Sequence, residues 1–193
     1  RSSDLLCENV LGADAHAMMR AENLERLPFF AEVGAFGVDV EDPTDGAAGI
    51  RYAAKLLDRP GRLVWIFPQG REVPVTRRPL GFRPGAAQIA RVAKRARVFA
   101  AAIRYEHGAR PEPELWLSFA ELGERPRDVR ALGARMEADV TAAMDGVDAA
   151  ITEGAEGGPH HFDALYIKPE SRLFAFAQAA LAWLTRPRLP ARR

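Results

Sequence analysis

Residues 62–91 read RLVWIFPQGREVPVTRRPLGFRPGAAQIAR, and the order of residue types in this stretch decides the fold class. The apolar run Leu63–Phe67 stops at Pro68, and Gln69, Gly70 and Arg71 follow at once. A loop rich in arginine and proline then leads to Pro84–Gly85–Ala86–Ala87, which opens a helix. The pattern predicts a buried strand that ends in a tight polar turn, with amides and a guanidinium projecting from the sheet edge. In open α/β sheets the crevice beyond the carboxyl ends of the strands is where ligands bind. Arginine at such a place favours an anion, because its planar fork suits phosphate and carboxylate.

The flanking sequence extends the same alternation. Towards the amino end, Asp4–Leu11 predicts a short helix, and a strand runs from Ala15 to end at Arg20. Asn23 is the expected cap of a helix bearing Leu24, Leu27, Phe30 and Val33 at helical spacing. Phe36–Val40 predicts a short strand. Asp42–Pro43–Thr44–Asp45 is a strong helix start, and that helix runs to about Asp58. Towards the carboxyl end, a helix from about Pro84 to Arg95 is followed by strands at Val98–Tyr105 and Leu115–Phe119, separated by a turn region at His107–Pro113. Asp128 caps a long helix to about Ile151, Glu153–Pro159 reads as a glycine-rich linker, and Ser171–Leu184 predicts a last helix. Strands alternating with helices imply an α/β fold with a mostly parallel central sheet flanked by helices. The expected division is an α/β domain over 1–152, then a linker and C-terminal helix over 153–193.

Charge is segregated along the chain. Residues 59–104 carry eleven basic side chains against one acid, Glu72, a local +10 in a chain of net charge +1. Such segregation points to an anionic partner: phosphate groups or a membrane surface. The same segment lacks interleaved aromatics and a reading motif, which argues against nucleic acid. A single cysteine, Cys7, within an apolar pattern excludes an internal disulfide and reads as a core thiol. No Gly-x-Ser-x-Gly elbow, phosphate loop or dinucleotide fingerprint is present. No apolar run reaches the length of a membrane span, roughly 20 residues. Leu173–Leu184 comes nearest; flanked by Arg172, Arg186 and Arg188, it suits docking on the domain or on a membrane surface. The missing initiator methionine and the apolar run from Leu5 predict natural residues upstream of Arg1.

With these residues in place, the chain resembles the glycerolipid acyltransferases typified by 1-acylglycerol-3-phosphate acyltransferase. Phe67–Pro68–Gln69–Gly70–Arg71 resembles that family's Phe-Pro-Glu-Gly-Thr-Arg block, and Gly81–Phe82–Arg83–Pro84–Gly85–Ala86 resembles its Gly-Phe-x-x-Gly-Ala helix start. Met18–Leu24 with Leu27–Phe30, and Gly34–Asp39, look like the intervening strand-and-helix stretches. The likeness covers roughly residues 4 to 106. The chain departs from the pattern at Gln69, where glutamate is usual, at Arg71, where threonine is usual, and at Val40, where a basic residue is usual.

The resemblance implies transfer of a fatty acyl group from a thioester, acyl-CoA or acyl carrier protein, to a hydroxyl of a lipid or glycolipid acceptor, with no further cofactor. A histidine would act as general base, oriented by Asp4 as the aspartate of an Asn-His-x-x-x-x-Asp block; the histidine itself would fall two positions before Arg1. Arg20 and Arg71 are then the expected grips for an anionic head group or the carrier's phosphates. Gln69 would hydrogen-bond a substrate hydroxyl or brace the turn, and Gly70 would allow close backbone approach beside the oxyanion. None of His16, His107, His160 and His161 fits the block. The implied location is the cytoplasmic face of a membrane, peripheral or through an upstream anchor. The competing reading is an inactive acyltransferase-like module that binds anionic lipid or another anionic partner.

Overall fold

A computed structural model describes residues 12–107, 113–155 and 162–163. Strand β1 (Asp14–Arg20) leads into two short helices, α1 (Ala21–Arg26) and α2 (Phe29–Glu32), and then β2 (Ala35–Val38). Helix α3 (Pro43–Leu57) and strand β3 (Arg62–Ile66) follow. After a long loop come α4 (Gly85–Val92), the strands β4 (Phe99–Glu106) and β5 (Glu114–Glu121), and α5 (Val129–Ala155). The first three strands form a parallel sheet in the order β2-β1-β3, so β1 is central.

Strand β2 shows how the helices lie about this sheet. A Cβ on Gly37 would meet Ala21 and Leu24 of α1. Its neighbours point the other way: Phe36 stacks edge-on with Tyr52 of α3, and Val38 lies against Gly49 of α3. Helices α1 and α3 therefore cover opposite faces, as right-handed crossovers running in opposite directions require. Glycine at 49 lets α3 approach closely, since a Cβ there would come 2.5 Å from Val38 Cγ2. Helix α3 starts as expected: Pro43 occupies the first turn, and the Asp42 carboxylate accepts from Thr44 N at 2.8 Å.

The expected single run of helix after β1 is not observed. Arg20, not Asn23, occupies the N-cap of α1, and the chain leaves helical geometry at Leu27 (φ −133°, ψ 66°). Pro28 follows, and a residue before proline is sterically pushed out of the α region. The expectation of a mostly parallel sheet is met only by the first three strands. Strands β4 and β5 pair antiparallel as a separate two-stranded ribbon. The connection over 107–113 is too short for the dozen or more residues of a parallel crossover. Helix α4 ends at Val92, three residues short of Arg95; the Arg125 guanidinium donates to the carbonyls of Ala90, Ala93 and Ala96 around that end. Helix α5 includes Glu153–Ala155, the start of the expected linker. Asp4–Leu11, Cys7 and Ser171–Leu184 lie outside the described residues.

The ribbon joins the sheet through α4 and α5. A core of Ala87, Ala90, Leu122 and the fully buried Leu132 is surrounded by Val98, Val129 and Met136. Trp65 of β3 and Phe119 of β5 also meet, ring centroids 6.3 Å apart. Among the described residues no helix is long and apolar enough to cross a membrane.

Candidate functional site at the carboxyl edge of the sheet

Because β1, β2 and β3 are parallel, the residues that follow their carboxyl ends collect at one edge. Three of the expected site residues, Gln69, Gly70 and Arg71, follow β3; the fourth, Arg20, closes the central strand. Phe67–Gly70 is a tight turn closed by a hydrogen bond from Gly70 N to Phe67 O at 3.1 Å. Pro68 presets the second position, and Gly70 takes the last with φ +65°. Gly70's amide is thereby used inside the turn. The amides of Gln69 and Arg71 make no hydrogen bond to a described residue.

Arg83 holds this turn in place. Its amide donates to Pro68 O at 2.8 Å, and its stem lies over Gly70, where a Cβ would come 3.0 Å from Arg83 Cδ. Its guanidinium reaches across to the loop after β2, donating to Val40 O at 3.2 Å and Glu41 Oε1 at 2.9 Å. That loop is ordered from within. Asp39 Oδ1 accepts from Glu41 N, and Asp45 Oδ2 accepts from Asp39 N. One side chain therefore links the end of β3 to the end of β2. In sequence Arg83 was only one member of the basic cluster; the signal for its role was its place in the Gly81–Ala86 block.

The far side of the long loop is fixed as well. Glu137 of α5 accepts from the amides of Gly81 and Phe82 at 2.8 and 3.1 Å. Arg78 pairs with Asp145 at 2.7 Å, and Leu80 is buried. The loop is thus pinned to a helix some sixty residues further along the chain, as residues 78 and 145 show.

The edge carries mixed charge. Asp39, Glu41, Asp42 and Asp45 lie in the loop and helix start after β2, which Arg83 joins to the turn through Val40 and Glu41. Arg20 is half-buried and lies 3.5 Å from Glu22, a carboxylate that is largely exposed. Arg71 is exposed and forms no ion pair with a described residue, which leaves it the cation of this turn open to a ligand. The +10 segment divides likewise. Arg62, Arg78, Arg83, Arg97 and Arg104 pair with acids, while Arg59, Arg71, Arg77, Arg91, Lys94 and Arg95 pair with none among the described residues.

Asp4, the expected orienting carboxylate, lies outside the described residues, as do His160 and His161. His16 is packed in the amino half of β1, its Nε2 3.4 Å from Asp14 Oδ1. His107 follows the last residue of β4, in the other sheet. Comparisons with protein-family models, curated proteins and solved structures find no match to this chain.

Proposed function

We propose that this chain is an acyltransferase that works at the carboxyl edge of the three-stranded sheet, moving a fatty acyl group from a thioester to a hydroxyl of a lipid or glycolipid. The observation that carries this reading is the joining of two sequence blocks by Arg83. The Phe67–Arg71 turn and the Gly81–Ala86 helix start, which bear the resemblance, meet through Arg83 N–Pro68 O and the stem over Gly70.

In the proposed reaction a histidine oriented by Asp4 takes the proton of the acceptor hydroxyl. The oxygen attacks the thioester carbon, a C–O bond forms, the C–S bond breaks, and the thiolate leaves with that proton returned by the imidazolium. Amides of Gln69 and Arg71 are suited to the transient oxyanion, because donors fixed in advance cost no reorganisation as charge develops. The Arg71 guanidinium serves the anionic part of donor or acceptor. Gln69, being neutral, suits an acceptor with an uncharged head, so glycosylated lipids should compete well with lysophosphatidate.

The test is thiol release from acyl-CoA and from acyl carrier protein by the protein, across a panel of hydroxylated lipids. Release with at least one acceptor is expected, and Asp4→Asn should lower it by about 10²–10⁴-fold without loss of folding. Full activity in that variant, or no turnover with any pair, overturns the assignment; strong preference for lysophosphatidate overturns the neutral-acceptor part. The exposed Arg71, which pairs with no acid among the described residues, also supports a second reading. On that reading the module binds anionic lipid without turnover, and Arg71-dependent vesicle binding with no thiol release is its signature.

A further inference from the structure

At the opposite, amino edge of the sheet the last turn of α3 meets the first residues of β1 and β3. A cavity of about 190 Å³ opens there, lined by Tyr52, Lys55, Leu56, Arg59 and Arg62. Three of these five side chains are cations. Strand β3 separates this cavity from the Phe67–Gly70 turn by on the order of 15 Å, at about 3.3 Å per residue. It is therefore a different place from the proposed acyl-transfer edge and does not depend on that reading.

The partners of the three cations are telling. Arg62 gives only its Nε to Asp14 Oδ2, at 2.9 Å, and its two terminal amino groups make no hydrogen bond to a described residue. Lys55 and Arg59 form no ion pair with a described residue, although Asp58 adjoins Arg59 in sequence. Nor are they needed to cap the helix. The carbonyls of Ala54 and Leu56 at the end of α3 already accept from the amides of Asp58 and Arg59. Tyr52 fixes its ring edge-on against Phe36 at 4.9 Å, and its hydroxyl makes no hydrogen bond to a described residue. Leu56 is buried and forms the apolar floor.

Three guanidinium or ammonium groups and a hydroxyl, with donors that no described residue takes up, together with an apolar floor suit a compact polyanion. We propose that this cavity binds a phosphate group, of a phosphorylated small molecule or of a lipid head, through Lys55, Arg59, Arg62 and Tyr52. Planar guanidinium forks bind phosphate oxygens in pairs, and the ammonium adds a point charge. Asp14 then acts as an internal competitor: it holds one face of Arg62 that an incoming anion would otherwise take. This gives the site a response of opposite sign from the two kinds of charge removal.

The experiment is calorimetric titration of the full chain with inorganic pyrophosphate at low ionic strength. Lys55→Gln with Arg59→Gln should weaken binding about tenfold or more, the scale of losing charge-assisted hydrogen bonds. Asp14→Asn should tighten it a few-fold by releasing Arg62, whereas Glu121→Gln, removing an acid from the other sheet, should leave it unchanged. If Asp14→Asn fails to fold, Arg62→Gln replaces it and should weaken binding. Competition by phosphatidate vesicles assigns the phosphate to a lipid head, and its absence assigns a soluble phosphate compound. Undetectable pyrophosphate binding, or a Lys55/Arg59 double variant that binds as the parent does, overturns the proposal.

Discussion

Gly70 and Arg83 form the smallest unit on which the candidate site rests. Gly70 combines a positive φ of +65° with the Arg83 stem 3.0 Å from where a Cβ would lie. Alanine there meets both a left-handed backbone cost of roughly 1–2 kcal/mol and a displaced arginine. Gly70→Ala should lower stability by about that amount in urea denaturation and reduce the proposed thiol release by a larger factor than the stability loss explains. Arg83→Lys keeps the charge but loses the fork that spans Val40 O and Glu41. It should therefore depress activity nearly as much as Arg83→Ala. A fully active lysine variant would show that charge alone, not the cross-link, matters.

The Arg97–Glu121 pair gives the residue scale its pH response. Two parallel hydrogen bonds, at 2.8 and 2.7 Å, join the guanidinium to both carboxylate oxygens. Those bonds hold the Glu121 carboxyl below its ordinary range, with the nearby Arg97 and Arg125 charges adding to the effect. A lowered folded value means that the stabilisation is fully present above the ordinary carboxylate range and lost as pH falls through the lowered one. The stability gap between parent and Glu121→Gln should be flat near neutrality and close on acidification. Because both partners are exposed, the gap should also shrink with added salt. A gap that ignores pH counts against the pairing.

At the scale of elements, the long loop between β3 and α4 is the decisive piece. Its ordering depends on α5, through Glu137 on the Gly81 and Phe82 amides and Asp145 on Arg78. Glu137→Gln retains one acceptor oxygen but loses the charge and the second acceptor. It should leave the unfolding midpoint within about 1–2 kcal/mol of the parent, the scale of such hydrogen bonds. Hydrogen exchange at Gly81 and Phe82 should nevertheless accelerate clearly. Unchanged protection at these amides would mean that the Leu80 anchor and Arg83 suffice to hold the loop. The cap of α3 is an independent element: Asp42→Ala should cost about 1 kcal/mol and leave the loop untouched.

For the whole molecule, the sheet and the ribbon are held together mainly through α4 and α5, so their packing governs global stability. Leu132 has no exposed surface and sits among Ala87, Ala90 and Leu122. Leu132→Ala should destabilise by about 2–5 kcal/mol, read by thermal or urea unfolding. Two of its neighbours, Ala87 and Ala90, are too short to swing into the space, so any relaxation falls to Leu122, Val129 and Met136. A loss below 1 kcal/mol would mean that the ribbon contributes little to cooperative folding. Gly49→Ala tests the other layer: the gain in helix propensity is outweighed by a 2.5 Å approach to buried, β-branched Val38.

Local signals were enough for much of this architecture. Asp42–Pro43 starts α3 because the cap and the proline act within one turn, and Pro68–Gly70 stops β3 for the same reason. Strand positions were legible to within about a residue at β1 and β3, where apolar runs meet polar breaks. The helix after β1 was read as one piece because its apolar spacing continues through Leu27–Pro28, although backbone sterics break it there. What remained hidden was the choice of partner. The eleven cations of residues 59–104 compete for many acids, and only the folded chain assigns Arg83 to Glu41, Arg78 to Asp145 and Arg62 to Asp14 while pairing Arg59 and Arg71 with no acid among the described residues. Backbone preference acts over a few neighbouring residues and is written in their order; pairing across forty or more positions depends on where the packed core brings each charge to rest.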